Sequence, residues 1–539
     1  MQSVTFFKSI SYFTLFIQVL IFYLKFAYML LLGIDLGTSS IKVSVIEADT
    51  QQCIVSVQYP ETEVDIISAQ TGWAEQSPEL WWENVKQAIL KCNATKKYNP
   101  QDIGAIGIAY QMHGLVLVDK SKNVLRNSII WCDSRAVDIG EQAFHEIGEE
   151  KCLSHLLNSP GNFTASKLAW VKNNEPEIYE KTDKAMLPGD FIAMKFTGES
   201  TTTSSALSEG VLWDFKNNKI SADVINYFGF DRNIFPVLQP LFSVHGYLQQ
   251  TVADSLSLSA GIPISYKAGD QLNNALSLNV LQPGEIAATA GTSGVIYGVS
   301  DKLNYDFESR INSFAHVNHN TPSSRGEGAG GEARIGVLLC INGAGIFNRW
   351  IKNITGTNIS YNALNDAAAK VNIGSNGLMA IPFGNGAERM LNNQIIGTHF
   401  HNLDLNVHST AHMVRSVQEG IAFAFRYGLD IMRENGIDPN IIRAGKSNLF
   451  LSDVFTQSFV NATKVTVEFY EGDGSFGAAV GAGIGAGIFD VVNPFISRKP
   501  ISLVEPGNKN LYDELYDKWK ELLNERIKKG VENKKLLLA

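Results

Sequence analysis

The sequence predicts an α/β protein built as two similar domains facing each other across a cleft. Three observations carry this. At 539 residues the chain exceeds what one hydrophobic core usually holds. From Met29 onward, apolar β-type runs bounded by glycine alternate with helical spacings. Finally, strand, Gly-Thr-Ser turn and strand follow one another twice, around Gly37-Thr38-Ser39 and around Gly291-Thr292-Ser293. A device repeated after ~250 residues points to internal duplication.

In chain order, Leu30–Ile34 and Ile41–Ile46 read as a hairpin about the first turn, and Pro78–Leu90 has helical spacing. Ile103–Ala109 is a strand stopping at Tyr110-Gln111-Met112-His113-Gly114, with further strands at Leu115–Val118 and Ile129–Trp131. The helical and looped stretch from about Val137 to Gln249 caps the first domain. Glu285–Ala290 and Val295–Val299 flank the second turn. Val414–Asn435 is a long helix, Ile441–Arg443 a strand, and Ala478–Gly487 a small-residue helix opened by Gly472–Gly477. Tyr512–Lys528 is amphipathic and belongs on the second domain's surface. The domains are therefore drawn as 29–282 and 283–539, and Gly326–Glu332 as a loop that is either a lid or irregular.

Composition narrows the function. A net charge of -9, with the clearest lysine pairs toward the C-terminal tail (Lys528-Lys529, Lys534-Lys535), argues against a nucleic-acid or anionic-membrane surface. Five scattered cysteines without a C-x-x-C suggest neither a disulfide framework nor a zinc site, so a reducing, cytoplasmic setting is expected. Ile10–Leu24 is mostly apolar, but the charge-free stretch between Lys8 and Lys25 is shorter than the ~20 residues of a spanning helix. Residues 1–28 are read as an extension ahead of a natural start at Met29, with a membrane anchor as the alternative.

A Gly-Thr-Ser turn between strands lets the backbone approach a polyphosphate, since glycine permits the dihedrals and hydroxyls add donors. One such turn is an ordinary hairpin. Two of them, with the glycine-containing segments 444–448 and 472–477, favour nucleotide binding. Asp35, just before the first turn, is placed to hold a hydrated Mg²⁺ against phosphates.

The ordered set Gly33-Ile34-Asp35-Leu36-Gly37-Thr38-Ser39, Trp73-Ala74-Glu75-Gln76-Ser77-Pro78, Gln111-Met112-His113-Gly114, Trp131-Cys132-Asp133-Ser134-Arg135, Leu187-Pro188-Gly189-Asp190, Gly269-Asp270 and Gly291-Thr292-Ser293-Gly294 resembles the FGGY carbohydrate kinases, and within them the xylulokinases. The resemblance spans nearly everything after Met29. It implies two actin-like, ribonuclease-H-like domains enclosing a nucleotide cleft, Mg-ATP, and phosphorylation of D-xylulose in xylose catabolism. It also implies roles residue by residue. Asp270 would be the catalytic base and share the metal with Asp35. Met112 and His113 would meet the sugar, the histidine as a donor beside an apolar neighbour, with Trp131, Asp133 and Asp270 in the same pocket. Gly37, Thr38, Ser39, Gly291, Thr292, Ser293, Gly445 and Asn448 would face ATP. A homodimer is compatible with it. The segment Ala444–Asn448 has alanine where the family has its first glycine, Gln271 follows Asp270 where many members have asparagine, and Pro382–Arg389 keeps Glu-Arg but lacks the usual Thr-Pro. The competing readings are the same chemistry on ribulose or gluconate, and a non-catalytic actin-like nucleotide-binding module.

Overall fold

The computed structural model describes residues 29–320, 333–355 and 359–538. The extension 1–28 and the loop Gly326–Glu332 lie outside the described residues. Among the described residues, no helix is long and apolar enough to cross a membrane.

Two sheets organise the chain. The first has five strands in the spatial order Ile264–Gly269, Ile103–Tyr110, Leu30–Leu36, Ile41–Glu47, Cys53–Tyr59. The pairs nearest Ile264–Gly269 are parallel and the hairpin side is antiparallel. The second sheet repeats the pattern with Val467–Tyr470, Ile441–Gly445, Glu285–Ala290, Gly294–Ser300 and Ile335–Ile341. It adds Asn312–Ala315 at one edge and Ser502–Val504 at the other. In both, the strand that comes first in sequence lies centrally, its hairpin partners to one side and two parallel strands to the other. That shared order is the actin-like duplication. The central strands read as near-continuous apolar runs because both faces are covered: Leu31, Leu32 and Ile34 are fully buried, as are Ile106 and Ile108.

Both hairpin turns, and the carboxyl ends of the parallel strands, lie at the same edge of their sheets, so each half brings a Gly-Thr-Ser turn and a strand-to-helix junction to one rim. The first junction starts the helix Asp270–Ser277 and the second the helix Gly474–Gly485. The second helix packs on the first sheet. A Cβ on Gly33 would come 1.9 Å from the Ser475 carbonyl oxygen, and one on Gly107 2.0 Å from that of Ala478. Backbone contact this close requires glycine on the strands and small residues on the helix. A division at 282/283 thus separates the sheets but not the helices that join them. Trp131, read at the end of a strand, lies outside one; the strand is Ser128–Ile129.

Candidate active site

The strand Leu30–Leu36 carries Asp35 to its exposed end, and Asp270 opens the helix after Ile264–Gly269. Both carboxyls touch water yet are enveloped by protein. Burial raises Asp35 from 3.8 to about 6, against the pull of Lys42 and with a push from Asp473. Burial raises Asp270 further, to about 7, and the charge of Asp35 adds to it. Two such carboxylates favour a shared cation. Their all-oxygen donor set suits a hard divalent ion, and Gly474 leaves room beside them, since a Cβ there would come 2.4 Å from the Asp35 Oδ2. The residues present therefore fit Mg²⁺.

On one side of this pair stands the loop 111–114. Met112 is buried and His113 sits in the left-handed region at φ 62°, held by two unanticipated residues. The Lys167 ammonium donates to the carbonyls of His113 (2.9 Å) and Ile130 (3.0 Å), tying this loop to the segment that carries Trp131. Burial lowers Lys167 to about 7, opposed by Asp133. The Glu209 carbonyl oxygen lies 2.9 Å from His113 Nδ1. A carbonyl only accepts, so Nδ1 carries the proton. Burial, then Lys167, lowers the imidazole to about 3, so the ring is neutral and Nε2 is an acceptor. This differs from the expected donor: the free ring nitrogen of His113 is an acceptor. Phe163 meets the ring edge-on at 4.8 Å, and Phe314 lies tilted against it at 5.4 Å.

Glu209 has a second contact. Its Oε1 accepts the Gly269 N–H at 3.2 Å, immediately before Asp270, and burial with the nearby Asp270 charge pushes its carboxyl well above the usual range. Glu209 thus links the histidine loop to the strand end bearing Asp270. Glu209 is the lone charge in the small-residue helix Ser204–Glu209, which was its sequence signal, whereas Lys167 shares Thr164–Asn174 with Lys172 and carried no signal as distinct.

Trp131 is 51% exposed, and its indole N–H donates to Thr38 Oγ1 at 3.0 Å. The Thr38 hydroxyl in turn donates to Gln111 Oε1 at 3.1 Å. The Thr38 hydroxyl expected on phosphate is therefore engaged by neighbours of the Met112-His113 loop, and the Gly37 N–H by the carbonyls of Asp35 and Ser40, which leaves the exposed Ser39 hydroxyl and the N–H groups of Thr38 and Ser39 to meet phosphate. Asp133 is also corrected. It is 0% exposed; Arg135 grips both its oxygens, with Nη2 at 2.6 Å, and Ala74 N–H donates to Oδ2 at 2.6 Å. Arg135 also pairs with Glu75 at 2.8 Å and lies 3.8 Å over the Trp73 ring. Its lone pairs are spent on locking two motifs together, so Asp133 supports the pocket rather than lining it.

On the other side, in the second half, a cavity of about 340 Å³ is lined by Gly291, Thr292, Gly345, Arg349, Tyr361 and Asn448, among others. Gly345 N–H donates to the Gly291 carbonyl and Ile346 N–H to that of Thr292, each at 3.0 Å. A Cβ on Gly345 would come 2.0 Å from the Gly291 oxygen, so the turn is seated on a helix start that only glycine permits. The volume suits a nucleoside-sized ligand. Ser293 and Gly445 stand beside this cavity rather than in its wall, and Ala444, where a glycine was expected, is a buried strand residue.

Residues 30–277 match the FGGY family of carbohydrate kinases, N-terminal domain. Over 91% of its length the chain is 28% identical to 96% of a Bacillus subtilis protein named xylulose kinase, and over 84% it is 28% identical to 88% of the Escherichia coli protein of that name. A crystal structure described as a xyloylose kinase from Brucella ovis superposes with a TM-score of 0.80 at 26% identity, covering 92% of this chain and 98% of the other.

Proposed function

We propose, from the premise that residues 30–277 make this chain a member of the FGGY family of carbohydrate kinases, that it transfers the γ-phosphate of ATP to the 5-hydroxyl of D-xylulose, giving D-xylulose 5-phosphate and ADP. The names of its relatives across most of the chain favour this sugar. The observation that supports the chemistry is the enclosed carboxyl pair Asp35 and Asp270, with Gly269 packed against Met112 on one side and Asn274, on the helix that Asp270 opens, bonded to Thr289 just ahead of the Gly291 turn on the other. Residues 29–282 hold the sugar and 283–539 the nucleotide. The five cysteines are all unpaired, in keeping with a reducing cytoplasm where ATP is at hand.

Asp270 takes the proton of the attacking hydroxyl as the oxygen–phosphorus bond forms and the bond to ADP breaks. In the metal-free protein, burial raises its pKa to about 7, which makes it a competent proton acceptor near neutrality. Asp35 and Asp270 would hold Mg²⁺, which would neutralise the phosphate charge. His113 Nε2 accepts from a sugar hydroxyl, Met112 covers the carbon face, and Trp131, anchored through Thr38, borders the pocket. The Thr38 and Ser39 N–H groups and the Ser39 hydroxyl meet the phosphates from the first half. Gly291 with Thr292 and Ser293 does so from the second, and Gly445 with Asn448 faces the adenosine. Closure of the halves excludes water that would otherwise take the phosphoryl group.

The test is ADP release with Mg-ATP and D-xylulose, beside D-ribulose, gluconate, a no-sugar control and Asp270→Ala. Sugar-dependent ADP that collapses in the variant supports the reading. Faster turnover of ribulose or gluconate than of xylulose would replace the substrate, and no sugar-dependent ADP at all would remove the kinase activity.

A further inference from the structure

The segment Pro382–Arg389 belongs to the second half, yet its last residue reaches the neighbourhood of His113 in the first. The Arg389 guanidinium lies 5.9 Å over the ring of Phe163, the same ring that meets His113 edge-on at 4.8 Å. Its one hydrogen bond among the described residues is long, Nη1 to the Ser309 carbonyl at 3.4 Å, and no carboxylate there lies within salt-bridge distance. Arg126, Arg135, Arg415 and Arg443 each hold a carboxylate within 2.9 Å. Arg389 is thus a partly buried cation with unused donors beside the sugar loop, an arrangement that favours oxygen acceptors from a ligand.

The arginine is also held firmly. Its neighbour Glu388 is fully buried and spends one oxygen on the N–H of Asn342 and the other on that of Gly343, each at 3.1 Å. Asn342 Nδ2 donates to the Ala387 carbonyl at 2.8 Å, and Asn385 Nδ2 returns a bond to the Asn342 carbonyl at 3.1 Å. Two residues on, Gly345 and Ile346 carry the Gly291-Thr292 turn. The loop bearing Arg389 and the turn at the nucleotide cavity are fixed to the same short stretch of backbone.

We propose that Arg389 is the acceptor-binding residue of the second half: its guanidinium hydrogen-bonds sugar oxygens beside His113, so the sugar pocket is complete only when both halves contribute to it. Because Arg389 and the nucleotide turn share one support, acceptor and nucleotide binding assist each other. The inference rests on the proposed sugar-kinase reading but not on which sugar is used.

The test measures steady-state kinetics, with whichever of D-xylulose, D-ribulose and gluconate the wild type turns over fastest, for the full chain and its Arg389→Gln, Arg389→Lys and Phe163→Leu variants, with melting temperatures alongside. Losing charge-assisted hydrogen bonds is expected to raise the acceptor KM by ~10-fold or more in Arg389→Gln, with ATP KM at high sugar within about twofold and folding intact. Arg389→Lys should recover part of the loss, and it also serves if the glutamine variant does not fold. Phe163→Leu, which removes the ring but keeps the cation, should have a much smaller effect. An acceptor KM unchanged in both arginine variants, or an equal loss in Phe163→Leu, overturns the inference, the latter by making Arg389 a packing partner. If the wild type turns over no sugar, calorimetric titration with D-xylulose decides separately. Binding that weakens in Arg389→Gln supports this inference while the activity proposed above fails, and absence of binding sinks both.

Discussion

Replacing Asp270 by asparagine should stabilise the metal-free protein while disabling it. In the folded chain Asp270 titrates at about 7, against 3.8 for an ordinary aspartate, because it is buried and faces Asp35. A folded pKa above the unfolded one means that, between these values, the native state holds a proton the unfolded state has released. Stability therefore falls as pH rises through that window and levels off above it. At ~1.4 kcal/mol per unit the full penalty has an upper bound of ~4 kcal/mol, of which ~1.5 is already incurred at pH 5. Water in the cleft screens the carboxylate, so about half of the remaining difference, ~1–1.5 kcal/mol, is the realistic gain in the variant's advantage between pH 5 and pH 8. Denaturant melts of both proteins in chelator at the two pH values measure it directly. Loss of the base should lower turnover by ~10²–10⁴ in the same preparation. An advantage that is the same at both pH values would refute the reasoning, since it would stem from side-chain shape rather than charge. A variant less stable than the wild type at pH 8 would show that the carboxylate is satisfied by the protein alone.

Asp133→Asn should destabilise the fold by ~3 kcal/mol, because it leaves the Arg135 charge inside without its closest partner, yet spare acceptor KM at temperatures where the variant is folded; a selective rise in KM would return Asp133 to the pocket wall. With His113 held near 3, its ring resonances should show no titration between pH 5 and 8 in NMR spectra, and a transition in that range would contradict the acceptor assignment. Gly345→Ala forces a methyl to within 2.0 Å of the Gly291 oxygen, so ATP KM should rise several-fold with acceptor KM at saturating ATP nearly unchanged; an effect confined to the sugar would mean that this turn does not serve the nucleotide.

Much of the architecture was legible because it is written in local patterns. Strands buried on both faces appear as apolar runs, and a tight turn between them needs glycine and short polar residues, so the duplicated hairpin could be read from Gly37-Thr38-Ser39 and Gly291-Thr292-Ser293 alone. The ordered motifs likewise identified Asp35, Asp270 and the Met112-His113 pair as candidates. Their electrostatic states were not legible. The proton position on His113 depends on the carbonyl of Glu209, 96 positions away in sequence, and Asp133 looked like a pocket carboxylate until Arg135 and Ala74 N–H were seen to consume its oxygens.

The order of amino acids was enough to settle the class of fold and its doubling, which follow from periodicity and turn geometry, whereas the residues suited to phosphoryl chemistry were named through the resemblance of the ordered motifs. It took the folded arrangement to establish that the helix Gly474–Gly485 crosses onto the first sheet, that Thr38 serves Gln111 and Trp131, and that Arg389 arrives beside Phe163 with no carboxylate at salt-bridge distance among the described residues. The physical reason is that hydrogen-bond satisfaction and charge pairing are properties of neighbours, and in these cases the neighbours come from distant parts of the chain.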